Sequence, residues 1–523
     1  MRQGPLTGRY PAAAAMVVFA LVPYLALSAA LAPITPIIAR DLHMSLQAMS
    51  LGSGMANAAY AVGTVLAVLL AQHLPQRRMQ VLYAALLVIG SVMAAAAPDA
   101  GLFVAGHVIQ GLCTSLLLIA AVPPLVVGFS ISKMRWTAII LNICIFGAVA
   151  LGPLVGGIQA QANGWRPLFW IIAGIAAAAL VLSLLTFQDA PPADRTAPRN
   201  PLPVGIAAVG CVAAFYGASE MLTRGFLDPS TFVPWIGGLA LIVILLVYQY
   251  RAKRPLLCIR PLASTLPVSG IAVAICAAAS SISAVGLAAV LLATRYSPVH
   301  LGLLQFPEFG GALITAALLG LVFRSRGLHY LVLGGMLSLI AGILLLRSQL
   351  PPTSGVMALG SGLVGLGVGG SVAPALFIAG FSLRNNALQR VFAIIELLRG
   401  VAAFMVGPVL VHVAATVGGN PDAGTSAALW ICFAIATAGT LLAVSLYALG
   451  RVRPPSPSLE QWFSGAAPGW YSPPLLAVVR KHPGEQVLSE PLARPSPIIV
   501  QDGGPPARDG ARRAADRSPT AGS

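Results

Sequence analysis

The chain has 523 residues, 57% of them hydrophobic and only 9% charged, about a third of the ~25% charged residues of a soluble globular domain. That composition excludes an ordinary cytosolic protein and equally excludes a wholly disordered chain, which needs low hydrophobicity. The formal charge of +16, from 31 Lys+Arg against 15 Asp+Glu, would suggest nucleic acid in a soluble protein, but in a membrane protein an excess of Lys and Arg marks the cytoplasmic loops.

Apolar runs long enough to cross the ~30 Å hydrocarbon core as helices of about 20 residues begin near residues 12, 49, 78, 101, 136, 166, 201, 232, 266, 299, 329, 355, 391 and 425. The first, from Ala12 to Ala39, follows Arg2 and Arg9 and contains Ala-Leu-Ala at 30–32. A cleaved secretory signal shares those features, but its apolar region is only about 7 to 15 residues long, so an uncut span is expected. Fourteen spans before residue 450 leave only short loops between them, with no room for a soluble domain. The six cysteines share no metal-ligand spacing, and neither a zinc site nor a disulfide framework is expected.

The basic residues alternate between two sets of loops. One set holds Arg2, Arg9, Arg77, Arg78, Lys133, Arg135, Arg195, Arg199, Arg251, Lys253, Arg254, Arg260, Arg324, Arg326, Arg384, Arg390, Arg451 and Arg453; the other holds only Arg40, Arg166, Arg224, Arg295 and Arg347. This positive-inside bias predicts an even number of spans with both termini in the cytoplasm of a multi-pass inner-membrane protein. From 451 to 523 the chain carries thirteen prolines and no helical period, which predicts a disordered cytoplasmic tail. Its Trp462, Phe463, Trp470 and Tyr471 are either interfacial aromatics or incidental ones.

The fifth span contains Gly152-Pro153-Leu-Val-Gly156-Gly157, and the sixth begins Trp165-Arg166-Pro-Leu-Phe169. Small residues let helices approach closely, and proline permits a bend. The pair resembles the antiporter motif of the major facilitator superfamily, whose drug/proton exporters carry Gly-Pro-x-x-Gly-Gly and then Trp-Arg-x-x-Phe here. Gln110-Gly111 in the fourth span, Arg224-Gly225 with Asp228 after the seventh, and Arg399 in the thirteenth extend the resemblance over residues 10 to 450, toward the fourteen-span branch of EmrB/QacA type. The resemblance implies an all-α polytopic fold split six, two and six: a six-helix bundle at 1–190, two added helices with their loops at 191–262, a second bundle at 263–450, and the tail at 451–523. It further implies a secondary transporter that exports hydrophobic or amphiphilic small molecules in exchange for protons, with no cofactor.

Several positions depart from the family pattern. Leu27 stands where an acid is expected in the first span, Gln72 replaces the Asp of the loop after the second, Arg324 replaces an acid in the matching loop of the second half, and His107 replaces the arginine of the fourth span. These changes remove an acid/base gating pair and leave a facilitator or exporter without protons as a second reading.

Ionisable groups inside spans cost about 2.5 to 3.5 kcal/mol on insertion scales and usually face a cavity or a partner. Glu396 and Arg399 are three apart, hence on one helical face; they form either a structural pair or a pair that protonation of Glu396 would open, freeing Arg399. Glu308 has no basic residue within one turn and lies roughly 13 Å along its helix from Val299, a setting that suits a proton carrier or a binder of cationic compounds. His107 is either a titrating group or a histidine hydrogen-bonded within the bundle. Asn57, Tyr60, Gln110 and Asn142 either line a cavity or bond between helices. Gly365-x-Gly367-x-Gly369-Gly370 lies in an apolar span, where helix packing is expected rather than phosphate binding, and the chain has no Walker-type Gly-Lys-Ser/Thr. The competing classes are a membrane-embedded lipid enzyme, which would cluster acids, histidines or a nucleophile at one membrane face, and a transport-dead sensor whose tail binds a partner.

Overall fold

The computed structural model describes residues 5–186, 200–452 and 456–475; Arg2, Arg195, Arg199, Arg453 and the tail beyond 475 lie outside them. Fourteen helices are long and apolar enough to cross a membrane: α1 Tyr10–Asp41, α2 Leu46–His73, α3 Gln76–Ala96, α4 Ala100–Val127, α5 Ile131–Gln161, α6 Arg166–Thr186, α7 Leu202–Arg224, α8 Pro229–Arg251, α9 Thr265–Leu292, α10 Pro298–Val322, α11 Gly327–Ser348, α12 Ser354–Phe381, α13 Leu388–Thr416 and α14 Pro421–Leu449. A short α15, Leu459–Phe463, follows. The chain is a multi-pass membrane protein.

Helix entry differs between the two faces. The even-numbered α2, α4, α8, α10, α12 and α14 start with a side-chain cap, from Ser45, Asp99, Asp228, Ser297, Thr353 and Asn420, each accepting from a backbone N–H of its first turn. These caps satisfy donors that the helix leaves open and allow tight turns on that face. On the other face, here the terminus face, Leu6 N donates to the Leu185 carbonyl at 3.1 Å, Tyr10 shares a hydrogen bond with Thr137, and Arg324 donates to the Ile131 carbonyl at 3.1 Å.

Helices α1–α6 pack among themselves, as do α9–α14. The pair α7–α8 leans on the seam, with α7 against both α2 and α13. Only 22% of the apolar window of α8 is buried, the lowest share of the fourteen, as a lipid-facing helix requires. The two halves meet along α2–α13 and α5–α10. Both helices of the second seam are irregular: α5 makes a π-turn over Ile143–Gly147, and α10 is broken at Phe306–Pro307, where proline has no N–H to continue the ladder. Close approach explains the glycine run in α12. A Cβ at Gly365 would strike the Glu308 carbonyl of α10, and one at Gly369 would strike the Thr315 hydroxyl, so these glycines serve helix packing.

One expectation is corrected. Residues 456–475 fold back onto the terminus face instead of running free, and Trp462 and Trp470 are among the most buried side chains of the protein. The proline content that argued for disorder is outweighed by the apolar area that two indole rings bury.

Candidate functional site

A cavity lies between the end of α4 and the middle of α5 in the first half and α12 and α13 in the second. Its walls are apolar, including Val122, Val126, Phe146, Phe377 and Phe392, and its charged lining residues are Glu396 and Arg399. α12 ends and α13 begins on the terminus face, so Phe381 and Leu388 stand near the mouth while Arg399, about three turns further along α13, stands deeper.

Glu396 is fully buried, and the Arg399 side chain is 7% exposed. Arg399 Nη2 lies 2.6 Å from Glu396 Oε2, and Nε lies 3.1 Å from each carboxylate oxygen. Two charges removed from water are tolerable only when each compensates the other with good geometry, and this pair meets that condition. Tyr60 reaches from α2 to donate to Glu396 Oε2 at 3.4 Å, tying the pair to the opposite half.

From Tyr60 a row of rings and polar groups runs into the first half. Tyr60 stacks on Tyr24 at 6.1 Å and meets the edge of Phe404 at 5.9 Å. Tyr24 donates to Asn57 Oδ1 at 3.1 Å and lies 5.7 Å from the His107 ring. His107 shares a 3.1 Å hydrogen bond with Gln110, whose amide donates to Ser91 at 3.0 Å. Six residues singled out from sequence, Glu396, Arg399, Tyr60, Asn57, His107 and Gln110, thus belong to one network across α13, α2, α1, α4 and α3. For His107 this geometry favours the hydrogen-bonded reading. Tyr24 and Ser91 escaped sequence reading because hydroxyls are common in spans and only their partners distinguish them.

Two candidates stand apart. Asn142 donates to the Gly369 carbonyl at 3.1 Å, bridging α5 to α12, while its own oxygen is buried without a hydrogen bond among the described residues. Replacing Asn142 with Leu is expected to weaken this contact between halves by about 1 kcal/mol, read as a lower unfolding temperature of the purified protein. Glu308 is half-buried at the break in α10, its backbone against Gly365, and has no hydrogen bond or ion pair among the described residues. Glu220 is a residue that sequence reading missed. It is buried in α7 and accepts from Arg224 at 2.8 Å and from Gln47 of α2 at 2.9 and 3.0 Å; the i,i+4 spacing to Arg224 was the available signal.

The glycine motif packs α5 tightly against α1 and α10 toward the face opposite the termini. A Cβ at Gly152 would come within 2.7 Å of the Ala26 carbonyl, and one at Gly156 would strike the Ala30 carbonyl, both on α1. Gly157 and Gly302 act between halves: a Cβ at Gly157 would strike the Pro298 carbonyl of α10, and one at Gly302 would come within 2.6 Å of Leu154 Cα. Beside them Trp165 donates to Asp41 at 3.2 Å, and Arg166 donates to the Ala95 and Ala97 carbonyls at 3.0 and 2.8 Å, pinning α6 to the ends of α1 and α3. On the terminus face backbone carbonyls accept across the halves: Gln389 donates to the Ile119 carbonyl at 3.2 Å and Arg324 to the Ile131 carbonyl at 3.1 Å.

The Major Facilitator Superfamily profile matches residues 17–331. Among curated proteins the chain is similar to the uncharacterized MFS-type transporter YubD of Bacillus subtilis, 30% identical over 49% of this chain and 50% of that protein. It is also similar to the multidrug resistance protein B homolog of Mycobacterium tuberculosis, 25% identical over 58% and 57%, and to the multidrug resistance protein Stp of the same species, 26% identical over 62% and 61%. The matches thus span about half to three fifths of those relatives' lengths. A crystal structure of a mutant of the peptide transporter POT covers 86% of this chain and 96% of its own at a TM-score of 0.57 and 16% identity, a likeness of fold alone. With the profile covering more than half of the residues, and the fold agreeing with it, the chain belongs to the major facilitator superfamily.

Proposed function

We propose that this protein is a secondary transporter that exports hydrophobic or amphiphilic small molecules by alternating access, in exchange for protons. The carrying observation is the asymmetry of the seam. An apolar cavity with one buried ion pair extends toward the terminus face, while glycine contacts hold α5 tightly against α10 toward the other face. That is the arrangement of one state of a transporter whose halves rock about a central site. The division into bundles at 1–190 and 263–450, with an added pair between, gives the rocking bodies. The bias of Arg and Lys puts the terminus face in the cytoplasm, so the cavity takes its cargo from inside the cell or the inner leaflet. Relatives named for multidrug resistance support efflux, and an apolar, adaptable wall fits more than one amphiphile.

For the proton we assign Glu308 and Glu396, the first without a hydrogen-bond or ion-pair partner among the described residues, the second held by Arg399 and Tyr60. In inverted vesicles with an imposed pH gradient, Glu308→Gln and Glu396→Gln are each expected to reduce gradient-driven uptake of a fluorescent cationic amphiphile to the level of empty vesicles, while exchange without a gradient persists. Full gradient-driven uptake in both variants would remove these residues from coupling. The second reading, export without protons, is favoured by Leu27, fully buried and apolar where the family holds an acid; wild-type uptake indifferent to the gradient would establish it.

A further inference from the structure

The cavity has a wall that the fourteen spans do not supply. Trp462, from the segment after α14, lines it together with Phe381, Leu388, Glu396 and Arg399, and the indole is only 1% exposed. The segment is fastened to one half. Trp462 Nε1 donates to the Leu383 carbonyl at 2.8 Å, Gly469 N donates to the Phe381 carbonyl at 2.7 Å, and Asn385 donates to the Phe463 carbonyl at 3.2 Å. Further along, Thr265 N donates to the Pro473 carbonyl at 3.0 Å and Leu266 N to Ser472 Oγ at 2.9 Å. Trp470 packs on His329 and Phe381 with ring centroids 5.0 and 5.6 Å apart. All these anchors belong to α9, α11, α12 or the α12–α13 connection in the second half. From this base α15 reaches across to touch α5 of the first half.

We propose that residues 456–475 form a strap carried by the second half, and that Trp462 is both the gate of the cavity mouth on the terminus face and a specificity-determining surface for the cargo. This rests on the transport reading above. The anchors are hydrogen bonds and ring contacts to α9, α11, α12 and the α12–α13 connection, so the strap travels with that half as the halves rock. Of the strap's own contacts, the one with α5 crosses to the other half and must be made and broken. A cargo entering from the terminus face passes the indole, whose flat apolar face favours compounds carrying an aromatic ring.

The test uses the full chain in inverted vesicles, with the native cysteines replaced and a single cysteine at Phe377, a cavity-wall position, labelled by a membrane-impermeant maleimide. Trp462→Ala is expected to speed labelling on the order of tenfold, as loss of a contact worth about one hydrogen bond does. It is also expected to raise KM for an aromatic amphiphile more than for an aliphatic one of equal charge. Should Trp462→Ala not fold, a chain ended after Val452, which keeps all fourteen spans, gives the same measurement. Unchanged labelling in the folded variant overturns the gate, and an equal change in KM for both amphiphiles overturns the role in specificity. The labelling does not depend on transport: faster labelling with no movement of any amphiphile would sink the transport reading and leave the gate standing.

Discussion

Replacing Arg399 with Ala is expected to cost about 3–5 kcal/mol of stability, because it leaves the fully buried Glu396 without its compensating charge, and to abolish transport. Tyr60 keeps one hydrogen bond to the carboxylate, which cannot replace the two-pronged contact of the guanidinium. The informative companion is the double variant Glu396→Leu/Arg399→Leu, since a buried ion pair replaced as a unit by apolar groups of similar volume is often neutral or stabilising. Thermal unfolding of the purified proteins, with transport in parallel, separates the two roles of the pair. A double variant that regains stability but not transport makes the pair functional. One that regains both shows it to be scaffold.

A valine at Gly157 is expected to open the face opposite the termini without unfolding either half. The added Cβ would strike the Pro298 carbonyl, which belongs to the other half, so the strain is relieved by separating α5 from α10. Overpacking of this kind costs about 1–3 kcal/mol, enough to shift a two-state balance by roughly 5- to 150-fold. Spin labels at Gln161 and Ser297, both exposed at the ends of α5 and α10, should report a new, longer distance population. Valine at Gly156, one residue away, strikes the Ala30 carbonyl within the same half; there the expected result is loss of folded protein. Identical distance distributions for the Gly157 variant and the parent would refute the assignment of this glycine to the seam.

Much of the candidate site follows from spacing. Glu396 and Arg399 pair because three residues bring side chains to one helical face, and a lone charge in a span is costly enough that the sequence rarely leaves one there without reason. Glu308 stands out for the same reason. The hydrogen bonds of Tyr24 to Asn57 and of Tyr60 to Glu396 join residues 33 and 336 positions apart, and no local pattern encodes them. Glu220 was legible through Arg224, yet its second partner, Gln47, lies 173 positions away.

The sequence by itself determined the number of spans, the alternation of charged loops and the glycine motif, because hydropathy over about 20 residues and the exclusion of charge from hydrocarbon act locally along the chain. Only the tertiary structure decided which glycines serve a bundle and which serve the seam. Gly156 and Gly157 are neighbours of one type, and one faces Ala30 of its own half while the other faces Pro298 of the opposite half. The same holds for residues 456–475, whose proline-rich composition reads as disorder. Phe381, His329 and the connection after α12 give the two tryptophans enough apolar surface to offset the cost of ordering them, and that surface exists only once the helices of the second half have packed.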